Sequence, residues 1–217
     1  MGFLDWFRRR PVLDVVCWLD DASRWQGFAR IVRADLAAGR HVLVVAHFKQ
    51  TLAVAGETLA RAAIPFEARV PWTSADRARL RAGAGPSVML TLAGGLPPVA
   101  AEGTGHATPG SDPVSVKVVD LHVLAAENDR VLAFATSLAG RASVRAHVSL
   151  EDPVLTTFAR PWVRDMMTRL GMKADDPIES SMVTSGVHRA LAKLAKKVTG
   201  NAPCASAAEW LERNLGA

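Results

Sequence analysis

The chain has 217 residues, 49% of them hydrophobic, which suits one or two globular domains and excludes a disordered chain. The formal net charge of +5 and the pI of about 9.8 leave nucleic acid and anionic lipid open as partners, although the excess is modest for this length. Cys17 and Cys204 lie far apart and the six histidines lack zinc spacing, so we predict two reduced thiols and no metal site.

The first segment in chain order is a lead-in, residues 1–13, which begins "MGFLDWFRRR". It lacks the apolar stretch of a signal peptide, and no apolar run in the chain approaches the roughly 20 residues that span a bilayer. Phe3, Trp6 and Phe7 beside three arginines are compatible with peripheral contact with a membrane, but packing on the domain is the simpler interpretation. We therefore expect a cytoplasmic location, with the inner face of the membrane as the alternative.

Residues 14–150 alternate between helical and strand patterns, which predicts an α/β domain. Asp20 or Asp21 can cap a first helix that ends at Gly39, and helical patterns follow at 51–63, 74–81 and 128–138. Strand patterns occupy 41–47, 66–70, 87–92, 114–125 and 143–150, and the glycine- and proline-rich residues 93–113 predict a long loop. This alternation predicts three layers, with helices on both faces of a mostly parallel sheet.

Residues 151–217 are predicted to form a purely helical C-terminal extension. Asp152 can cap a helix that starts at Pro153, and a long helix from about Ser181 carries apolar residues on one side. A short helix near Ser206 buries Trp210. Four cations lie off the apolar side of the long helix: Arg189, Lys193, Lys196 and Lys197. They are candidates for binding an anionic partner, with a solvated surface as the simpler alternative.

Sequence motifs of nucleotide and acyl chemistry are absent from these 217 residues. There is no G-x-x-x-x-G-K-[ST] loop to cradle phosphates, no acidic Walker B strand end and no G-x-S-x-G nucleophile elbow. "LAGG" follows the strand pattern at 87–92, so its amides can face a phosphate, although a tight turn explains the glycines equally well. The residues alone predict an α/β domain with few catalytic groups.

Residues 149–198 resemble the preprotein translocase ATPase SecA. "SLED" (Ser149 to Asp152), "MTRLGM" (Met167 to Met172), the Ile178–Glu179 pair and the Val183–Thr184 helix start follow that family's order and spacing. Upstream, "GRHVLVVAHFKQTLAVAGETLARAAIPFEARV" and "SVMLTLAGG" are similar to its second motor domain, and His122 falls where the family has a histidine. The resemblance implies a RecA-like domain over 14–150, followed by the start of the helical scaffold.

Departures from the family are as informative as the matches. The first motor domain, with its P-loop and acid pair, is not in this sequence. The family's two arginines that reach the nucleotide across the cleft fall, counted without gaps, at Phe134 and Ser137. By family position the nucleotide-facing candidates are therefore Thr91, Gly94, Gly95, Arg141 and Arg145. An arginine finger accelerates phosphoryl transfer by orders of magnitude, so we expect no autonomous catalysis and no resident cofactor.

Three functions are compatible with this pattern. The first is a non-catalytic SecA-like accessory domain that docks on a SecA-type motor or a translocase component. The second is one half of a split ATPase, completed by a separately encoded P-loop domain, with Arg141 or Arg145 as its finger. The third is a helicase-like nucleic-acid binder, which ranks last because no basic stripe is interleaved with aromatic residues.

Overall fold

The computed structural model describes residues 13–82, 85–98, 114–138, 142–156 and 175–216. Within them the strands are β1 (Asp14–Trp18), β2 (His41–Ala46), β3 (Glu67–Ala68), β4 (Val88–Leu92), β5 (Val114–Val118), β6 (Ser143–Ser149) and β7 (Ile178–Glu179). The helices are α1 (Asp21–Ala37), α2 (Lys49–Arg61), α3 (Ser74–Ala82), α4 (Ala125–Ser137), α5 (Pro153–Thr156), α6 (Ser181–Ala195) and α7 (Ala207–Asn214). A 3-10 turn at Ala93–Gly95 follows β4.

The described strands form one sheet in the order β3-β4-β2-β5-β6-β1-β7. Every neighbouring pair is parallel except β1 and β7, which are antiparallel. Every residue of β2 and β5 is buried, because helices cover both faces of the central strands. The predicted α/β class and the mostly parallel sheet are confirmed.

Two hydrophobic cores, one on each face of the sheet, make the three layers. On one face α1 and α2 place Phe28, Val32 and Leu59 against the β2 residues Val42 and Val44. On the other face α3, α4, α6 and α7 share a larger core. Its members include Leu80, Val131, Phe134, Leu191 and Trp210. The two faces are therefore covered by different helices.

The prediction that the chain is only helical after residue 150 is wrong, because Ile178 and Glu179 form β7 against Cys17 and Val16 of β1. This pairing was hidden because two residues are too few to show a strand period. The strand predicted at 66–70 is limited to Glu67–Ala68, and the one predicted at 114–125 ends at Val118. Residues 119–123 are buried although they are not strand, so their sequence pattern resembled a continuation of the strand.

Helix ends follow the caps that the sequence indicates. Asp20 accepts a hydrogen bond from the Ser23 amide at 2.7 Å and begins α1. Ser206 accepts one from the Glu209 amide at 3.2 Å and begins α7.

Both cysteines are free thiols. In the described part of the chain, no helix combines the length and the apolar character needed to cross a membrane.

Candidate functional site at the switch point of the sheet

The crevice between β2 and β5 is the candidate functional site. These strands are neighbours, yet the helix that follows β2 packs on one face of the sheet and the helix that follows β5 packs on the other. Ligands of open parallel sheets bind outside the carboxyl ends of the strands at such a switch point. Here those ends lead into His47, Phe48, Asp120 and His122, which we call the switch-point residues.

Asp120 ties the end of β5 to the start of α2. Its carboxylate accepts hydrogen bonds from the backbone amides of His47 at 2.7 Å and Phe48 at 3.2 Å. The first amides of a helix have no partner within the helix and favour a negative charge. Burial raises the pKa of Asp120 to about 6, against the lowering effect of these hydrogen bonds. At neutral pH this carboxylate is an internal anion at the amino end of α2.

Two histidines stand side by side in the crevice, with the rings of His47 and His122 5.5 Å apart between centroids. Phe48 stacks on His122 at 5.6 Å and 19°. The Asn128 amide group bonds the backbone of His122 through both its oxygen and its nitrogen, at 3.0 Å and 2.7 Å. Burial lowers the pKa of both histidines to about 4, so both rings are neutral at pH 7.

The C-terminal segment covers these rings. Trp210 of α7 meets His122 edge to face, with ring centroids 4.7 Å apart, and is 2% exposed. The backbone carbonyl of Ala205 accepts a hydrogen bond from the Gln50 amide of α2 at 3.0 Å. The amides of His47 and Phe48 just before α2, and that of Gln50 in its first turn, are thus satisfied by Asp120 and Ala205, both parts of the same chain.

Carboxylates also dominate the neighbouring ends of β1 and β6. Arg24 is buried and forms ion pairs with Asp21 at 3.2 Å and Asp152 at 3.6 Å. Asp152 caps α5 through the Val154 amide at 3.0 Å, as predicted, and burial raises its pKa to about 6. Glu151 accepts a hydrogen bond from the Asp21 amide at 3.1 Å. Among the described residues no cluster could hold a metal ion.

The structure places the predicted nucleotide-facing residues on strands that are not neighbours, because β2 and β5 lie between β4 and β6. Thr91 pairs with Val45 near the carboxyl end of β4, and Gly94 and Gly95 follow in the 3-10 turn. Arg145 pairs with Asp14 near the amino ends of β6 and β1, and its guanidinium binds Glu179 at 2.8 Å. The structure therefore does not bring Arg145 to the glycine turn. Arg141 lies outside the described residues.

The positions that match the family's two arginines hold other contacts. Phe134 is buried and meets Trp72 edge to face at 5.8 Å. The Arg77 guanidinium of α3 donates to the Ser137 carbonyl at 2.9 Å and to its hydroxyl at 2.6 Å. Both positions hold α4 in place, Phe134 against Trp72 just before α3 and Ser137 against Arg77 of α3.

The predicted basic face of α6 is exposed along its length. Arg189, Lys193, Lys196 and Lys197 all face solvent, whereas Val187, Leu191 and Leu194 face the core. We call these four cations the α6 basic face. The proposed membrane contact through Phe3, Trp6 and Phe7 lies outside the described residues.

Sequence reasoning missed most of the switch-point residues. Only His122 was singled out, through the family resemblance. An acid that directly follows a buried strand, as Asp120 follows "VSVKVV", is a signal that could have found the site. No sequence signal indicates that Trp210 covers the switch-point residues, because nothing in the sequence shows that α7 packs at the carboxyl ends of the strands.

Together the layers and the switch point define a three-layer α/β domain of the expected RecA-like type. Over a little more than a third of its length the chain is similar in sequence to protein translocase subunit SecA, which confirms the resemblance. The SecA of Syntrophobacter fumaroxidans is 33% identical over 89 residues, 38% of this chain and 11% of that protein. The SecA of Deinococcus radiodurans is 36% identical over 87 residues, 37% of this chain and 10% of that protein.

The chain thus spans about a tenth of the length of the SecA proteins that it matches. No family profile matches it. Among solved structures, the C-terminal part of the Fun30 ATPase domain aligns with 78% of this chain and 54% of its own. That alignment has a TM-score of 0.41 and 10% identity, values too low to carry an argument.

Proposed function

We propose that this chain is a non-catalytic SecA-like domain that acts by docking on a protein partner of preprotein translocation, with a SecA-type motor as the first candidate. The sequence similarity to SecA supports the link to translocation. The observation that carries the non-catalytic part is the filled switch point, where the chain's own groups occupy the place of a ligand.

A nucleotide phosphate needs open amides and positive charge. In this crevice three amides and the buried cation are engaged by the chain itself, and Lys49, the first residue of α2, is an exposed cation. The amides of His47, Phe48 and Gln50 already donate to Asp120 and Ala205. Asp120 and Asp152, with pKa values near 6, are ionised at pH 7 and repel a phosphate. The buried cation, Arg24, is held by two carboxylates. A polyphosphate would have to break these contacts to bind.

Docking needs a preformed surface, and the α6 basic face supplies one. Arg189 and Lys193 lie one turn apart on α6, and Lys196 and Lys197 follow at its C-terminal end, while the other side of the helix is anchored in the core by Leu191 and Leu194. Exposed cations of this kind steer and orient an acidic partner rather than supply most of the affinity. We assign this face to the first contact with the partner.

Two titrations test the proposal. In calorimetry with Mg-ATP and Mg-ADP, the purified chain should show no binding tighter than about 1 mM. The purified SecA-type motor of the same organism should bind the chain. The change Lys193→Glu with Lys197→Glu should weaken that binding at least tenfold, while the charge-preserving Lys193→Arg with Lys197→Arg should leave it unchanged. Micromolar ATP binding with turnover, or no binding to the motor, would contradict the proposal.

A further inference from the structure

A second surface lies on the opposite face of the sheet, between α1 and the last turn of α2. It is an open groove of about 490 Å³, lined by Trp25, Ala29 and Arg33 of α1 and by Thr58, Arg61 and Ala62 of α2. We call it the α1–α2 groove. Neither the switch point nor the α6 basic face includes any of these residues.

The length and the lining of the groove suit the binding of one helix. Ala22, Trp25 and Ala29 follow each other at helical spacing along α1, and Gln26 and Arg33 flank them seven residues apart. From Ala22 to Arg33 this seam is about 16 Å long, or three turns. The small side chains of Ala22 and Ala29 let a second helix approach closely, and the indole ring of Trp25 beside them offers a large apolar contact surface.

The residue types in the groove are those that dominate binding energy. Tryptophan and arginine are enriched among the residues that lose most affinity on truncation. Trp25 is held by an edge-to-face contact with Phe28 at 5.8 Å and by the Arg24 guanidinium 4.4 Å from its ring centroid. A partner therefore meets a tryptophan whose orientation is already fixed, which reduces the entropy cost of binding.

Charge at the groove favours an acidic occupant. Arg33 and Arg61 are exposed on either side of it, and no acidic residue lines it. The Arg33 guanidinium donates to the carbonyl of Ala62, which holds it across the groove. In the described part of the chain no carboxylate forms an ion pair with Arg33 or Arg61. Both guanidinium groups retain donors for a carboxylate of a partner.

The floor of the groove holds a polar atom without a partner. Thr58 is 7% exposed, and its hydroxyl has no hydrogen-bond partner among the described residues. That oxygen is almost entirely shielded from solvent, so an occupant of the groove contacts Thr58 but does not reach its hydroxyl. A carboxylate seated in the groove therefore binds through the guanidinium groups of Arg33 and Arg61.

We infer that the α1–α2 groove binds an acidic amphipathic helix of a protein partner, whose apolar side packs on Trp25 and Ala29 and whose carboxylate binds Arg33 and Arg61. The inference deepens the proposed docking function by adding a second surface of stated chemistry. A nucleic acid fits less well, because an alanine floor with two cations lacks the stacked aromatics and long basic track of such sites.

The test is an NMR titration of the ¹⁵N-labelled full chain with a synthetic 18-residue amphipathic helix of leucine and glutamate. The probe should shift the indole N–H signal of Trp25, and a twin peptide with lysine in place of glutamate should not. Arg33→Glu with Arg61→Glu should weaken binding at least tenfold. Thr58→Val, which keeps the shape of the groove and removes a hydroxyl that the groove does not expose, should leave binding unchanged. The α6 change Lys193→Glu with Lys197→Glu should have no effect.

Each outcome decides the inference independently of the proposed function, because the motor protein is not in this assay. No shift of the Trp25 signal by the acidic peptide at millimolar concentration would overturn it. Equal binding by the arginine variant, shown by its thermal midpoint to be folded, would overturn it as well. Oligo-dT that shifts the same signal more strongly and displaces the peptide would replace it by a nucleic-acid site.

Discussion

Gly27 lies where α1 crosses the ring of Trp18 on β1. A Cβ at this position would stand 2.0 Å from Cη2 of the Trp18 ring, and the ring is fully buried. We predict that Gly27→Ala destabilises the protein by about 1–3 kcal/mol or more, because neither helix nor ring has room to move. Urea unfolding measures this loss.

Gly186 of α6 is the matched control for Gly27. A Cβ there meets no atom within 4 Å, and the residue lies inside a helix. Gly186→Ala should therefore stabilise the protein by up to about 1 kcal/mol through helix propensity alone. If both changes shifted the unfolding midpoint in the same direction, the close contact between α1 and Trp18 would not be what constrains Gly27.

His147 on β6 is a fully buried histidine packed against Phe28 at 6.0 Å between ring centroids. Burial, together with the smaller effects of the charges of Lys117, Arg145 and Arg24, lowers its pKa to about 3, while Asp35 acts in the opposite direction. In the unfolded chain the His147 ring binds a proton below about pH 6.5, whereas in the folded chain it stays neutral. The contribution of this residue to the free energy of unfolding is therefore fully present above pH 6.5. That stability is lost as pH falls from 6.5 towards 3.

We predict that His147→Leu flattens the pH dependence of stability. Between pH 6 and pH 4 the free energy of unfolding of the variant should fall less steeply than that of the unchanged chain, by about 1.4 kcal/mol per pH unit. Urea unfolding at several pH values measures the two curves. Curves that run parallel over this window would show that His147 is not kept neutral in the folded state.

At the scale of elements, Asp120 couples the end of β5 to the start of α2. Asp120→Ala leaves the amides of His47 and Phe48 without their acceptor, so we predict a loss of about 2–5 kcal/mol. Asp120→Asn keeps one acceptor oxygen and should lose less. Urea unfolding gives the loss, and hydrogen exchange at the His47 amide locates it. Equal losses for the two variants would contradict the coupling.

The sequence indicated most elements because their patterns are strong. "HVLVVA" is apolar throughout, as a strand covered on both faces must be, and α6 keeps Val187, Leu191 and Leu194 at helical spacing. The strand pair β1–β7 was not foreseen. β7 has two residues, and its partner β1 lies more than 150 residues earlier, so a local pattern carries no trace of the pairing.

The candidate site was less predictable than the elements that form it. Asp120, His47 and Trp210 come from three distant parts of the chain, and only the topology of the sheet brings them together. Arg145 illustrates the converse. Its family position suggested a place beside the nucleotide, and in the structure β2 and β5 separate its strand from β4 while its guanidinium binds Glu179. Motif spacing does not encode which strands become neighbours.

At the scale of the whole molecule, α7 closes the carboxyl edge of the sheet. Trp210→Ala should lower the free energy of unfolding by about 3–5 kcal/mol, because it removes the contact with His122. It should also raise hydrogen exchange at the Gln50 amide, because the hydrogen bond from Gln50 to Ala205 depends on the position of α7. Trp72→Ala, which removes a buried tryptophan beside Phe134, should cost a similar amount without a selective effect at Gln50. The same exchange pattern in both variants would contradict a local role for α7.

The position of β1 has a consequence for how the molecule is made. β1 pairs with β6, about 130 residues later, and with β7, and its Val15 amide donates to the Thr184 hydroxyl at 3.0 Å. At about 5–20 residues per second, a ribosome needs roughly 7–26 seconds to supply β6 after β1 has been synthesised. Among the described strands β1 therefore waits longest for a sheet partner, and its apolar residues "VVCW" stay unpaired until β6 has been synthesised.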